Sequence, residues 1–428
     1  MNKQVLLCAI GGCALAATLA IPAVLTAQTY ATGDSRNVSQ PTTPSACQTL
    51  SAQFTSAEVD VASPPTSDDT TRIQDALNSC ENSGKAVVLA SSGSNNAFLS
   101  GKLTIESKES LVVNSGVTLY GNNSYNSESE LIDIPNSNTG IYGPGAIDGR
   151  ANVYTFSDTP RLVQTSNASS FIAYNITLQN AAHPNLYIQG GNGATVWNVT
   201  INTSPNQKNA DGIDIDSITN VTVNDSNITA GDDGIAVKTN AAAASNITVE
   251  NTNVYGTHGL SIGSQTFDGV TNVLFKNDYV YGKSSNGTAS TDANAVNIKT
   301  DKDCGGLVNI VTYENICIRY AKHLIVVNAN YGSCSGTSGT PQFENIIVNG
   351  VLSENSVSGA YEEFAGYSSS YRENVYLANV KLDSNTQSGD EYANIYLDNV
   401  NGLDPSGTDV TDYSWSTSGS VPSCSFKF

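Results

Sequence analysis

Three aspartates and one histidine recur at nearly one distance from a repeated asparagine. Asp211, in Asn209-Ala210-Asp211-Gly212, follows Asn198 by 13 residues, Asp232, in Gly231-Asp232-Asp233-Gly234, follows Asn220 by 12, and His258, in Thr257-His258-Gly259, follows Asn246 by 12. Side chains that return at one phase of a repeat stack on one face, roughly 5 Å apart for each strand spacing. The spacing therefore predicts that three carboxylates and an imidazole meet. Asp232 and Asp233 would point to opposite sides of an ideal strand, and the flanking Gly231 and Gly234 permit the bend that brings both to one groove. Crowded carboxylates raise one another's pKa because like charges repel, so one can keep its proton as an acid while another serves as base. Cleavage of a glycosidic bond needs such a pair. Asp148, Asp214, Asp216 and Asp268 are read as turn residues. His183 and His323, which lack acidic company, are read as structural or surface histidines.

The elements that would position this chemistry come from a repeat. Asn175-Ile176-Thr177-Leu178 returns as Asn198-Val199-Thr200-Ile201, Asn220-Val221-Thr222-Val223, Asn246-Ile247-Thr248-Val249 and Asn272-Val273-Leu274-Phe275, at intervals of 23, 22, 26 and 26 residues. Weaker copies stand at Asn309, Asn345, Asn374 and Asn394. A period in the twenties marks a solenoid, and two or three short alternating strands per copy, parted by Gly, Asn and Asp turns, describe one coil of a parallel β-helix. The fold class is thus all-β, a single solenoid domain over 67–428. Asp68 to Leu77 opens a short N-terminal capping helix, with Ile73, Ala76 and Leu77 on one face. The recurrent Asn is expected to form a ladder at a turn, so Asn-x-Ser/Thr at Asn175, Asn198 and Asn220 reflects turn chemistry first, and glycosylation second.

The 428 residues are 39% hydrophobic and only 14% charged, which disfavours both a disordered chain and a helical bundle. A net charge of -20 argues against non-specific nucleic-acid or anionic-membrane binding. Residues 1–27 read as a secretory signal cut near Ala27, although the apolar run is also long enough for an uncleaved anchor. Residues 28–66, rich in Ser, Thr and Pro, read as a tail or linker. Cys47, Cys80, Cys304, Cys317, Cys334 and Cys424 then remain, an even set that favours disulfides in an exported chain, with the local pairs Cys47–Cys80 and Cys304–Cys317 suggested. No Cys-x-x-Cys with partnering His calls for zinc, and neither metal nor cofactor is expected.

These residues resemble glycoside hydrolase family 28, the polygalacturonases and their relatives, from about residue 68 to the C-terminus. The similarity includes Gly143-Pro144-Gly145-Ala146-Ile147-Asp148-Gly149-Arg150 and four ordered motifs. The family's Asn-Thr-Asp looks like Asn209-Ala210-Asp211, its Asp-Asp like Asp232-Asp233, and its Gly-His-Gly like Thr257-His258-Gly259. Its Arg-x-Lys looks like Asn297-Ile298-Lys299. The resemblance implies a right-handed β-helix and a secreted, monomeric enzyme that acts on a pectic polysaccharide by inverting hydrolysis of α-1,4-galacturonosyl bonds. It further implies Asp232 as general acid, Asp211 and Asp233 as the groups that position and deprotonate water, and His258 as the residue tuning the acid. Asn209, Asn297, Lys299 and Tyr331 would contact substrate. Asn297 stands where the family has an Arg and cannot supply a charged bidentate fork. That departure keeps two alternatives open, a hydrolase for a rhamnogalacturonan-type backbone and a non-catalytic pectin-binding relative. A calcium-dependent pectate lyase ranks below both.

Overall fold

Period-two alternation sets the direction of each side chain in the strands that matter most. In Ile213–Asp216 the isoleucines turn inward and the aspartates outward; Ile235 and Val237, Leu260 and Ile262, and Val296 and Ile298 repeat the inward pattern, all with no solvent exposure. Each such burial contributes roughly 1.5–3 kcal/mol relative to an exposed side chain. The computed structural model describes residues 33–425 apart from 168, 285–286, 291, 335–338 and 385. The signal reading of residues 1–27 therefore lies outside the described residues.

Every pairing between the strands is parallel, and through the middle of the chain each strand pairs with the third strand before and after it. One coil thus holds three short strands, and stacked coils build a right-handed parallel β-helix around a continuous apolar core. One of its sheets runs through Arg161–Ser166, Leu186–Gln189, Ile213–Asp216, Ile235–Thr239, Leu260–Thr266, Asn294–Lys302 and His323–Ser333. This sheet carries the candidate chemistry.

The asparagine ladder exists, but at two corners rather than one. Asn272 Nδ2 donates to Asn246 Oδ1 at 2.7 Å and Asn246 Nδ2 to Asn220 Oδ1 at 3.1 Å. Asn198 Nδ2 donates to Asn175 Oδ1 at 2.8 Å, at a different turn whose later members are Asp225, Asn251 and Asn277. All of these residues adopt positive φ, between 52° and 59°, where Asn and Asp are tolerated better than other side chains.

The helix Thr70–Cys80 buries Ile73, Ala76, Leu77 and Cys80 at the start of the core. The reading of 28–66 as a tail or linker does not hold for the described part. Ala46–Ser51 is a strand paired with Lys85–Ala90, and Ser56–Val59 is a short helix. Residues 33–40 lie along the outside of the coils, with Asp34 accepting from Thr222 Oγ1 at 2.8 Å and Arg36 donating to the Ala194 carbonyl at 2.6 Å. Partners for these polar groups came from sequence-distant coils, which composition does not reveal.

Three disulfides link all six described cysteines. Cys47–Cys80 forms as suggested, with Cα atoms 6.0 Å apart. Cys304–Cys317 does not: Cys304 bonds Cys334 and Cys317 bonds Cys424. In a solenoid the nearest neighbour lies one coil away rather than a few residues away, and 30 residues part Cys304 from Cys334.

Candidate active site

Register places the acids differently from their spacing. Gly212 N–H donates to the Asp233 carbonyl and Ile235 pairs with both Ile213 and Leu260, so Asp211, Asp233 and His258 occupy one row just before their strands. Asp232 precedes that row by one residue. The near-equal counts, 13 from Asn198 and 12 from Asn220, do not mark one row because these asparagines sit at different corners. The glycine-flanked bend still brings both aspartates to the groove, as Asp232, Asp233 and His258 offer side-chain atoms within 4.8 Å of one another.

Asp232 Oδ1 receives the Asp233 N–H at 2.9 Å and lies 2.9 Å from His258 Nδ1. Two donors on Oδ1 leave Oδ2 as the oxygen that can carry a transferable proton. Burial of the His258 ring works against its charge, but its hydrogen bond to Asp232 and the Asp232 charge outweigh burial and raise its pKa. Asp233 is 3% exposed and held from two sides, by Ser261 Oγ at 2.7 Å and by Lys299 Nζ at 3.2 Å from each carboxylate oxygen. Burial alone would lower the Lys299 pKa, yet the Asp233 carboxylate leaves it above the ordinary value. Tyr331, 57% exposed, places its ring over Lys299 Nζ at 5.2 Å. Asn209 is exposed at the groove edge.

Asn297 is buried and does not reach into the groove as a free group. Its Nδ2 donates to Ser261 Oγ at 3.0 Å and to the His258 carbonyl at 3.3 Å, so it braces the serine that holds Asp233. Replacing Asn297 by Ala should lower kcat about 5- to 10-fold through a looser Asp233, the loss of roughly one net hydrogen bond. Steady-state kinetics would check this, and an unchanged kcat would show that Ser261 needs no such brace.

Asp214 and Lys238 join the site without a local signal as plain as that of the phased acids. Asp214 and Asp216 are not turn residues; both lie in the strand Ile213–Asp216 and are buried on its outward face. Lys238, one coil on, places Nζ 2.7 Å from Asp211 Oδ2 and 2.8 Å from Asp214 Oδ1, the second contact lying off the hydrogen-bonding direction. Burial, then the Asp211 charge, pushes the Asp214 pKa well up, and the Lys238 charge opposes that rise. Burial opposes the Lys238 charge, but Asp214 and Asp211 outweigh it. The Ile-Asp-Ile-Asp and Ile-Ala-Val-Lys alternations were the available signal. His183 also lines the groove, its pKa lowered by burial and by nearby Arg161, whereas His323 sits against Asn294 and Tyr361 with a pKa pushed down to about 4 by burial.

The groove encloses about 470 Å³ and its walls join these acids and lysines to Arg161, Tyr187 and Tyr331. It can seat a chain-like substrate against one proton donor and two lysine-held carboxylates. The family model for glycosyl hydrolases family 28 matches residues 80–402. An endo-polygalacturonase of Pectobacterium parmentieri is 35% identical over 79% of this chain and 88% of its own. A polygalacturonase of Ralstonia solanacearum is 31% identical over 90% of this chain and 86% of its own. The solved polygalacturonase from Erwinia carotovora ssp. carotovora is 29% identical, with a TM-score of 0.67 over 91% of this chain and all of that one. With the family model spanning most of the solenoid and relatives matched along most of their length, the chain belongs to glycosyl hydrolases family 28.

Proposed function

We propose that this glycoside hydrolase is exported and cleaves α-1,4-galacturonosyl bonds of polygalacturonate with inversion. The carrying observation is the asymmetry of its three acids. Asp211 is paired with half-buried Lys238 and Asp233 with buried Lys299, while Asp232 has a side chain 24% exposed and an Oδ2 left for a proton. Asp232 Oδ2 gives its proton to the glycosidic oxygen as the bond to the anomeric carbon breaks. Water between Asp211 and Asp233 loses a proton to one of them and attacks that carbon from the opposite face. NMR of the first product would show the β-anomer, and an initial α-anomer would refute inversion. Export is supported by the residue 1–27 sequence and three disulfides. Recovery of the chain only inside cells would refute it.

The test of function is reducing-end release from polygalacturonate and, separately, from a rhamnogalacturonan. Activity on the first supports the proposal. Activity on the second alone supports the other reading, which Asn297 motivates because the site lacks the charged fork that an Arg would bring there.

Activity should survive EDTA. Asp232, Asp233 and His258 are spaced closely enough for a cation, but Lys299 already supplies positive charge to both Asp233 oxygens. Loss of activity on chelation, restored by calcium, would contradict this assignment. Activity should also peak in acid, because Asp232 donates only while protonated and the bases accept only while ionised. His258, raised above its ordinary value, keeps its charge through weakly acidic pH and loses it as pH climbs past that raised value. A pH profile peaking above about pH 8 would overturn this.

A further inference from the structure

We infer that Arg161 is a carboxylate-binding residue of the groove, at a position away from the scissile bond. The inference rests on the proposed polyuronate substrate. Val163 pairs with Leu186, Leu186 with Ile213, and Leu162 N–H donates to the Pro184 carbonyl. Arg161 therefore occupies the same row as Asp211, two coils earlier, roughly 10 Å along the solenoid at roughly 5 Å per coil. A polymer lying along the row that meets Asp232 and Asp233 would present a different sugar unit to Arg161.

The side chain is built for such a contact. The guanidinium carbon stacks over the Tyr187 ring at 4.0 Å, and Nη1 donates to Gln164 Oε1 at 2.6 Å, so the plane of the fork is fixed in advance. Its Nε is buried without a hydrogen-bond partner. Lys238 and Lys299, the groove's other strong cations, are each bound to an aspartate, whereas no acid forms an ion pair with Arg161 among the described residues. Tyr187 beneath the guanidinium has its pKa raised by burial, and His183 nearby has its pKa lowered by burial and by Arg161, so neither ring brings a negative charge to the arginine. An unpaired planar cation in a groove rich in aspartate, on a chain of net charge -20, suits a planar anion such as a uronate carboxylate. Asn297, braced against Ser261, leaves that recognition to other residues.

Binding separates this role from bracing of Tyr187 and Gln164. Asp232→Asn protein would be titrated with free-acid oligogalacturonides and with their methyl esters, with and without Arg161→Gln or Arg161→Lys. The expected result is a loss of about 10- to 100-fold in affinity for the free acids with Gln, and a smaller loss with Lys. Affinity for the esters should not move. Equal losses for acid and ester, no loss, or no binding by the Asp232→Asn parent would each overturn the inference. Failure of the wild-type chain to cleave polygalacturonate would sink the proposed function instead, while the titration still decides Arg161.

Discussion

Replacing Asp232 by Asn should lower kcat on polygalacturonate by about 10²–10⁴, the range expected for loss of a positioned proton donor. Asn keeps an oxygen that can accept from the Asp233 N–H and from His258, so the local geometry can persist. What it lacks is the acidic proton on the second oxygen. Because that proton moves only in the transition state, kcat and kcat/KM should fall together, with KM little changed. The side chain is partly exposed, so thermal unfolding should shift little, which separates chemistry from folding. A loss smaller than about tenfold would remove Asp232 from the acid role.

Lys238→Met should be the most destabilising of the site substitutions. Among the described residues Lys238 is the one cation in ion-pair contact with Asp211 and Asp214, which are 5% and 1% exposed, and removing one partner of a buried ion pair costs about 3–5 kcal/mol. Protonation of Asp214, whose pKa burial already pushes up, spares part of that penalty. The pH dependence has a definite sign. Without the lysine the two buried carboxyls favour their neutral forms more than they do in the unfolded chain, so the variant's deficit is full at neutral pH and shrinks as pH falls through the ordinary carboxylate range. Thermal scans of both proteins at neutral and acidic pH would read this directly. An equal deficit at both pH values would mean that only packing was lost. Hydrolysis should fall as well, since an Asp211 that holds a proton cannot take one from water.

The solenoid was legible along the chain, because a coil repeats one hydrophobic alternation and one turn residue, and both are local patterns. So were the chemical groups that stand near the groove: Asp211, Asp232, Asp233 and His258 do converge. Their order within it came from the packing of one coil on the next. Asp233 rather than Asp232 shares the row of Asp211 and His258, because the segment 203–210 is longer than its counterpart in the next coil and counting from Asn198 absorbed the difference. The same holds for Asp214, read as a turn residue, and for Lys238, which no local motif marked, until the pairing of Ile213 with Ile235 set their strands side by side. Asn297 changed meaning in the same way. As a sequence letter it was a missing cation; in the fold it is a buried donor to Ser261 and His258. Cys304 paired with Cys334 one coil on for the same physical reason, and Cys317 with Cys424 of the C-terminal segment. Along the chain a solenoid's neighbours are one residue apart, but across its sheets they are a whole coil apart, and variable loop length lets the coil register escape any fixed count.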